Sequence, residues 1–264
     1  WTLWCSILEH HMSTVKKEID LDNAFQNVNI KKGDKILVTS SILKILVHYK
    51  KKRIKFNPNL IIDSLIRKIG PNGTLLFPTY NWDFCKGKGY DYQNTKSLSG
   101  ALGNFALKRK EFKRTKNPIY SYAVAGKDRD LICDLKHYSC FGLDSPFGYL
   151  IKNKGKNLFI GIDYKDGFTL IHVAEETIGV DYRYFKNFTG KYFDGNKSFK
   201  ATYKMYVREL NKNISMTAID KKFDKVLINK KAYIKKTLNG IIFTSIDINK
   251  AYQALLYDLK NKKG

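Results

Sequence analysis

Hydrophobic residues along the chain alternate between short β-branched runs and longer segments with helical spacing. Residues 35–39 (KILVT) form such a run, entered from Gly33-Asp34 and left through Ser40-Ser41, and they predict a buried strand. Across residues 58–69 apolar positions recur at helical spacing and stop at Gly70-Pro71, after which Gly73 turns into a second strand at 74–77. The same rhythm predicts helices at 99–110, 128–135 and 170–178 and strands at 120–125 and 157–162. From Tyr182 to Lys236 the pattern degrades into Lys-rich and Tyr-rich sequence, followed by a strand at 240–245 and a helix at 248–259. Strands alternating with helices imply an α/β fold on a largely parallel sheet, whose ligands bind beyond the carboxyl ends of the strands. No internal repeat or long linker divides the chain, so residues 12–264 are expected to form one domain, with residues 1–11 a leader ahead of it.

Charge narrows the function classes. Lys and Arg number 48 against 24 Asp and Glu, a formal +24, while 14% aromatic residues exclude a disordered basic tail. A field of that sign favours anionic ligands. A nucleic-acid-binding protein is therefore one reading, supported by the interleaved Lys and Tyr of residues 182–236. Against it, Arg53, Arg67, Arg109, Arg114, Arg129, Arg183 and Arg208 are the only arginines, and forked recognition of phosphates and base edges leans on arginine. No apolar run approaches the roughly 18 residues needed to cross a bilayer. Cys5, Cys85, Cys133 and Cys140 form no C-x-x-C pair, which argues against a zinc knuckle or a disulfide framework and for a reducing cytoplasm.

Apart from His10 and His11, the histidines are His48, His137 and His172. His48 precedes Tyr49-Lys50-Lys51-Lys52-Arg53 and reads as solvated surface in a basic loop, whereas His137 follows a helix end and reads as a cap. His172 falls in the first turn of the helix predicted after Thr169, its expected N-cap. At 100° per residue Thr169, His172, Glu175 and Glu176 share one face, opposite Ile171, Ala174 and Ile178. Carboxylates one turn away can fix the imidazole's tautomer or hold a substrate ammonium, which makes His172 a candidate general base. Periodicity alone equally describes an exposed face with i, i+3 and i, i+4 polar pairs. A metal site is not expected, because no second histidine stands at helical spacing. Ser40-Ser41, Thr79-Tyr80-Asn81 and the predicted helix start at Ser99-Gly100 place hydroxyls and free N–H groups where such sheets bind ligands.

Taken in order, these segments resemble the aminoglycoside 3-N-acetyltransferase family, acetyl-CoA-dependent enzymes unrelated in fold to the GNAT acetyltransferases. The resemblance runs through Gly33-Asp34-Lys35-Ile36-Leu37-Val38-Thr39-Ser40-Ser41, Gly70-Pro71-Asn72-Gly73-Thr74-Leu75-Leu76-Phe77-Pro78-Thr79-Tyr80 and Gly100-Ala101-Leu102. It continues through Arg114-Thr115-Lys116-Asn117-Pro118-Ile119-Tyr120-Ser121, Asp144-Ser145-Pro146-Phe147-Gly148 and Thr169-Leu170-Ile171-His172-Val173-Ala174-Glu175. It implies a three-layer α/β/α fold, acetyl-CoA (or another short acyl-CoA) as co-substrate, and no metal. His172 would be the base with Glu175 as its partner, and Ser40, Ser41, Thr79, Ser99 and Gly100 would line the coenzyme A and thioester channel. Thr79 would also serve the oxyanion, and Tyr80, Asn81, Asn117 and Glu176 would meet the acceptor. An amine would attack the thioester directly, with no acyl-enzyme and no role for a cysteine. A homodimer is compatible with the resemblance.

Two positions depart from the family pattern. Asn117-Pro118 stands where drug-modifying members usually carry His-Pro, and Thr39 where they carry a His ahead of the serine pair. The charge also repels a polycationic antibiotic. The acceptor expected from it is an amino sugar on a nucleotide diphosphate, as in bacterial surface-polysaccharide biosynthesis, with an aminoglycoside as the alternative.

Overall fold

The computed structural model describes residues 19–212 and 221–261; the leader expected at 1–11 lies outside the described residues. Helix α1 (Leu21–Asn27) leads into β1 (Lys35–Ser40), and α2 (Leu43–Lys51) and α3 (Asn59–Ile69) cross to β2 (Thr74–Pro78). A loop bearing β3 (Tyr90–Asp91) precedes α4 (Ala101–Ala106), β4 (Lys113–Arg114), β5 (Tyr122–Gly126), α5 (Arg129–Cys133), α6 (Pro146–Lys152) and β6 (Lys156–Ile160). After α7 (Leu170–Ile178) the chain forms a hairpin of β7 (Arg183–Asp194) and β8 (Lys197–Arg208). It closes with α8 (Lys221–Asn229), β9 (Tyr233–Leu238), β10 (Ile241–Asp247) and α9 (Ile248–Asn261).

Among the described residues one sheet has the order β4-β5-β2-β1-β6-β10-β9 and a second the order β3-β7-β8. In the larger sheet β1 pairs in parallel with β2 and β6, and the pairs outside this trio are antiparallel. Only β5 and β10 run against the rest, so strand direction is largely parallel while the ladders toward both edges are not.

Alternation along the central strands makes the layers. Ile36, Val38, Leu75, Phe77, Leu158 and Ile160 point into one core with Phe25 of α1, Ile62 and Leu65 of α3 and Leu102 of α4. Leu37, Leu76 and Phe159 point into the opposite core with Phe147 and Leu150 of α6, Val173 and Ala174 of α7 and Leu255 of α9. Because helices cover both faces, β1 and β6 read as unbroken apolar runs. The result is the α/β/α arrangement. Among the described residues no helix is long and apolar enough to cross a membrane.

Several local expectations change. His48 lies in α2, not in a loop; Ile45 and Tyr49 of that helix are buried while Leu43, Leu46 and Val47 are exposed, so apolar residues fall on both faces and blur its pattern. The helix expected at 99–110 is limited to Ala101–Ala106, and at its start Ser99 turns its hydroxyl to accept from the Tyr80 N–H at 3.0 Å instead of capping. His137 is buried, with Nδ1 2.8 Å from the Ser139 carbonyl, and burial pulls its pKa below the ordinary value. The segment after Tyr182 is ordered: β7 and β8 pair over their full length, with Gly190, Tyr192 and Ala201 buried and lysines exposed between them. A strand with one wet face in a lysine-rich chain loses the hydrophobic contrast that periodicity needs.

Candidate active site

The carboxyl ends of β1 and β2 open onto a cavity of about 280 Å³. Thr39 and Ser40 line one wall, Ser99 and Gly100 another, and the rings of Tyr80, Trp82 and Tyr120 a third. Asp166 and Thr169, from the segment between β6 and α7, complete the rim. A wider cavity of about 610 Å³ opens at the other end of the strands, where Lys35 begins β1 and Asn72 precedes β2; no histidine lines either cavity, but Thr169, one turn before His172, lines the first. Chemistry, not size, selects the first.

Helix α7 delivers His172 and Glu175 beside this cavity. Thr169 occupies the N-cap position in helical geometry and makes no side-chain cap bond, contrary to its expected role. Phe141 packs against both Tyr120, on the cavity wall, and the His172 ring, with centroids 4.7 and 5.1 Å apart. The imidazole keeps 30% of its surface open, whereas Glu175 keeps only 3%. His172 Nδ1 lies 2.8 Å from Glu175 Oε2. The face that periodicity also described as exposed is thus buried at its carboxylate.

The chain beyond α7 returns to the same carboxylate. Gly179 adopts a left-handed conformation (φ 70°), and both its N–H and that of Val180 donate to the Glu175 carbonyl. This turn brings the Tyr182 hydroxyl to donate to Glu175 Oε1 at 3.0 Å and Arg183 Nε to within 2.9 Å of Oε2. The Arg183 contact is an ion pair without an aligned hydrogen bond. Arg183 Nη1 donates to the Tyr206 carbonyl at 3.1 Å, and Nη2 sits 3.1 Å from His172 Nδ1. Burial pushes the Glu175 carboxyl up, but the hydrogen bond and charge of His172, with Arg183 and Tyr182, outweigh it and hold it below the ordinary value. Glu176 goes the other way: burial raises it, only partly offset by the Ser139 hydroxyl 2.7 Å away.

The profile of the aminoglycoside 3-N-acetyltransferase family matches residues 38–254. The chain belongs to this family. Aminoglycoside acetyltransferase AAC(3)-Xa superposes with a TM-score of 0.75 at 17% identity, over 90% of each chain. AAC-IIIb, solved as a binary complex with CoASH, gives 0.75 at 17% identity over 92% of this chain and 96% of that one. YokD from Bacillus subtilis gives 0.70 at 20% identity over 91% and 98%. At these identities the likeness speaks for the fold. None of the curated protein sequences compared with the chain matches it.

Within this aminoglycoside 3-N-acetyltransferase family member, the expected site residues divide. Ser40, Ser99, Gly100 and Tyr80 line the cavity; His172, paired with Glu175, reaches its wall through Phe141 and Tyr120, and Glu176 faces Ser139. Thr79 does not line it. Its side chain is fully buried, 2.8 Å from the Ser121 hydroxyl and reached by Arg114 Nε at 3.4 Å, so the oxyanion and channel roles expected of that hydroxyl are corrected. Asn81 holds a loop through the Asp83 N–H and the Lys96 carbonyl, and the Asn117 oxygen accepts from the N–H groups of Ile119 and Tyr120 while its buried Nδ2 has no partner. Ser41 donates its N–H to the Ile160 carbonyl, tying the exit of β1 to that of β6 outside the cavity wall. Sequence reasoning missed Tyr182 and Arg183; an arginine in a chain this rich in lysine was the available signal.

Proposed function

We propose that the chain moves an acetyl group from acetyl-CoA to the amine of an amino-sugar acceptor, with His172 as the general base. One observation carries this reading: a half-open imidazole whose Nδ1 is tied to a buried carboxylate at 2.8 Å, beside a cavity at the carboxyl ends of the strands. With Nδ1–H donating to Glu175, Nε2 keeps its lone pair. Acetyl-CoA supplies the activated carbonyl, and Ser40, Ser99 and Gly100 suit its thioester end because they are small and polar and leave the wall open. The acceptor nitrogen forms the new C–N bond, Nε2 takes its proton, the C–S bond breaks, and the proton passes on to the leaving thiolate. With the Thr79 hydroxyl engaged elsewhere, backbone N–H groups of the cavity wall are left to meet the oxyanion.

Direct attack is supported by the thiols. Burial raises Cys85 to about 11 and Cys133 to about 12, and Cys140 well above its ordinary value, so all three are neutral at physiological pH and poor nucleophiles.

For the acceptor, the family and the Asp166 carboxylate on the cavity rim favour an aminoglycoside-type amino sugar whose ammonium groups it would attract. The nucleotide-linked amino sugar expected from charge becomes the second reading, favoured by the net +24. Thiol release from acetyl-CoA, followed against a panel of aminoglycosides and nucleotide-linked amino sugars, separates the two. Turnover with neither class would overturn the proposal, and tight, salt-sensitive polynucleotide binding in its place would revive the nucleic-acid reading.

A further inference from the structure

We infer that Arg183 is a positioning residue for the base: with its guanidinium against both Glu175 Oε2 and His172 Nδ1, it disfavours a second proton on the ring, while Glu175 sets the tautomer that frees Nε2. The inference rests on His172 being the base, but its physical content is the protonation state of one ring.

The geometry is over-determined. Glu175 Oε2 is shared by His172 Nδ1 at 2.8 Å and Arg183 Nε at 2.9 Å, while Tyr182 holds Oε1. Arginine only donates hydrogen bonds. His172 Nδ1 therefore has two exclusive states: it donates to Glu175, leaving Nε2 as an acceptor, or it accepts from Arg183 Nη2 at 3.1 Å, leaving Nε2 protonated and useless as a base. The pull of the carboxylate favours the first. A doubly protonated ring would place two cations in contact across that 3.1 Å, which Arg183 therefore disfavours.

Other groups facing the ring do not replace this balance. Tyr182, from the turn after α7, and Tyr206, from β8, present phenols whose ionisation burial disfavours. Glu176 on α7 is engaged by Ser139 and offset by Lys204 of β8. Phe141 presents an uncharged ring. Without the guanidinium, a buried carboxylate would act with full charge on Nδ1 and favour a second proton on the ring. The hairpin is what fixes the guanidinium: Arg183 opens β7, pairs in register with Arg208, and is anchored on the Tyr206 carbonyl.

The test uses the whole chain with Arg183→Gln, Arg183→Lys and His172→Gln. In R183Q the acid limb of kcat/KM should move up by about one pH unit, the lost rate at pH 7 should recover at pH 9, and KM for acetyl-CoA should hold. In R183K, which keeps the charge and loses the fork, the limb should stay near wild type while kcat falls. Nitrogen NMR of the imidazole needs no substrate: wild type should show the Nδ1–H tautomer, and the ring's titration should rise in R183Q. Coincident titrations in wild type and a folded R183Q overturn the inference, as does an Nε2–H ring in wild type. If R183Q does not fold, the wild-type tautomer and the R183K limb decide alone. An unimpaired H172Q would sink the base assignment itself, whereas an inactive H172Q with an unshifted R183Q would sink only the role of Arg183.

Discussion

In the central sheet, β1 and β6 lie between two cores, and their residues are buried whichever way they point. In the β7–β8 hairpin only alternate residues are covered, and Tyr184, Phe185 and Phe199 remain largely exposed. On the open face Lys191 stands directly opposite Lys200. The candidate site draws on both regions. The sheet and α7 supply the reactive pair, held in place by bulk burial, and the hairpin supplies the charge that balances it, held by strand register. Reactivity and its electrostatic setting thus rest on structures of different robustness, the second easier to perturb without unfolding the first.

The largest effect that could break this division is at the base. His172→Gln is expected to lower kcat by about two to four orders of magnitude while leaving coenzyme A binding intact in calorimetry. A loss of binding in step with activity would show that the ring is structural. Glu175→Gln strikes both regions together, because it strands the Arg183 guanidinium; a loss of about 3 kcal/mol in denaturant unfolding is expected. Its pH dependence has a definite sign. The Glu175 carboxyl is held below its ordinary 4.5, so its stabilisation is full above that value and fades as pH falls through the lowered one. The gap between wild type and E175Q should therefore narrow in acid, and a gap that widened there would contradict the ion pairing.

Smaller changes sharpen the contrast. Gly161 has φ 70°, and a Cβ there would lie 2.3 Å from the Ser41 carbonyl, so Gly161→Ala should cost about 2 kcal/mol and lower Tm by acting on the sheet alone. Thr79→Val leaves Ser121 and Arg114 short of a partner and should cost about 1 kcal/mol with kcat within about twofold of wild type. A large fall in kcat at unchanged stability would return Thr79 to the oxyanion. The smallest effect belongs to the hairpin: Lys200→Glu replaces a like-charge pair opposite Lys191 and should raise Tm by about 1 °C at low salt.

The parallel trio β2-β1-β6 and helices α3, α7 and α9 were legible in the chain because their patterns are local and strong. The breaks came where contrast was weak or a distant residue intervened. α2 buries only Ile45 and Tyr49, and Ser99 was drawn from its cap by the Tyr80 N–H. Within the site, Ser40, Ser99 and Gly100 could be placed by the rule that ligands sit at strand ends. That rule says nothing about which way a side chain turns: Thr79 turned to Ser121 and Arg114, and Asn81 and Asn117 turned to the backbone.

What the amino-acid order determined by itself is the spacing that sets His172 one turn from Glu175 at the carboxyl end of a strand, since a helix brings i and i+3 together whatever surrounds it. Tertiary structure alone decided that Glu175 is buried, that Tyr182 and Arg183 return to it, and that the imidazole stays half open. Burial and ion pairing depend on which elements pack together, and Arg183 reaches the dyad only because Gly179 ends α7 and the hairpin anchors the guanidinium on Tyr206.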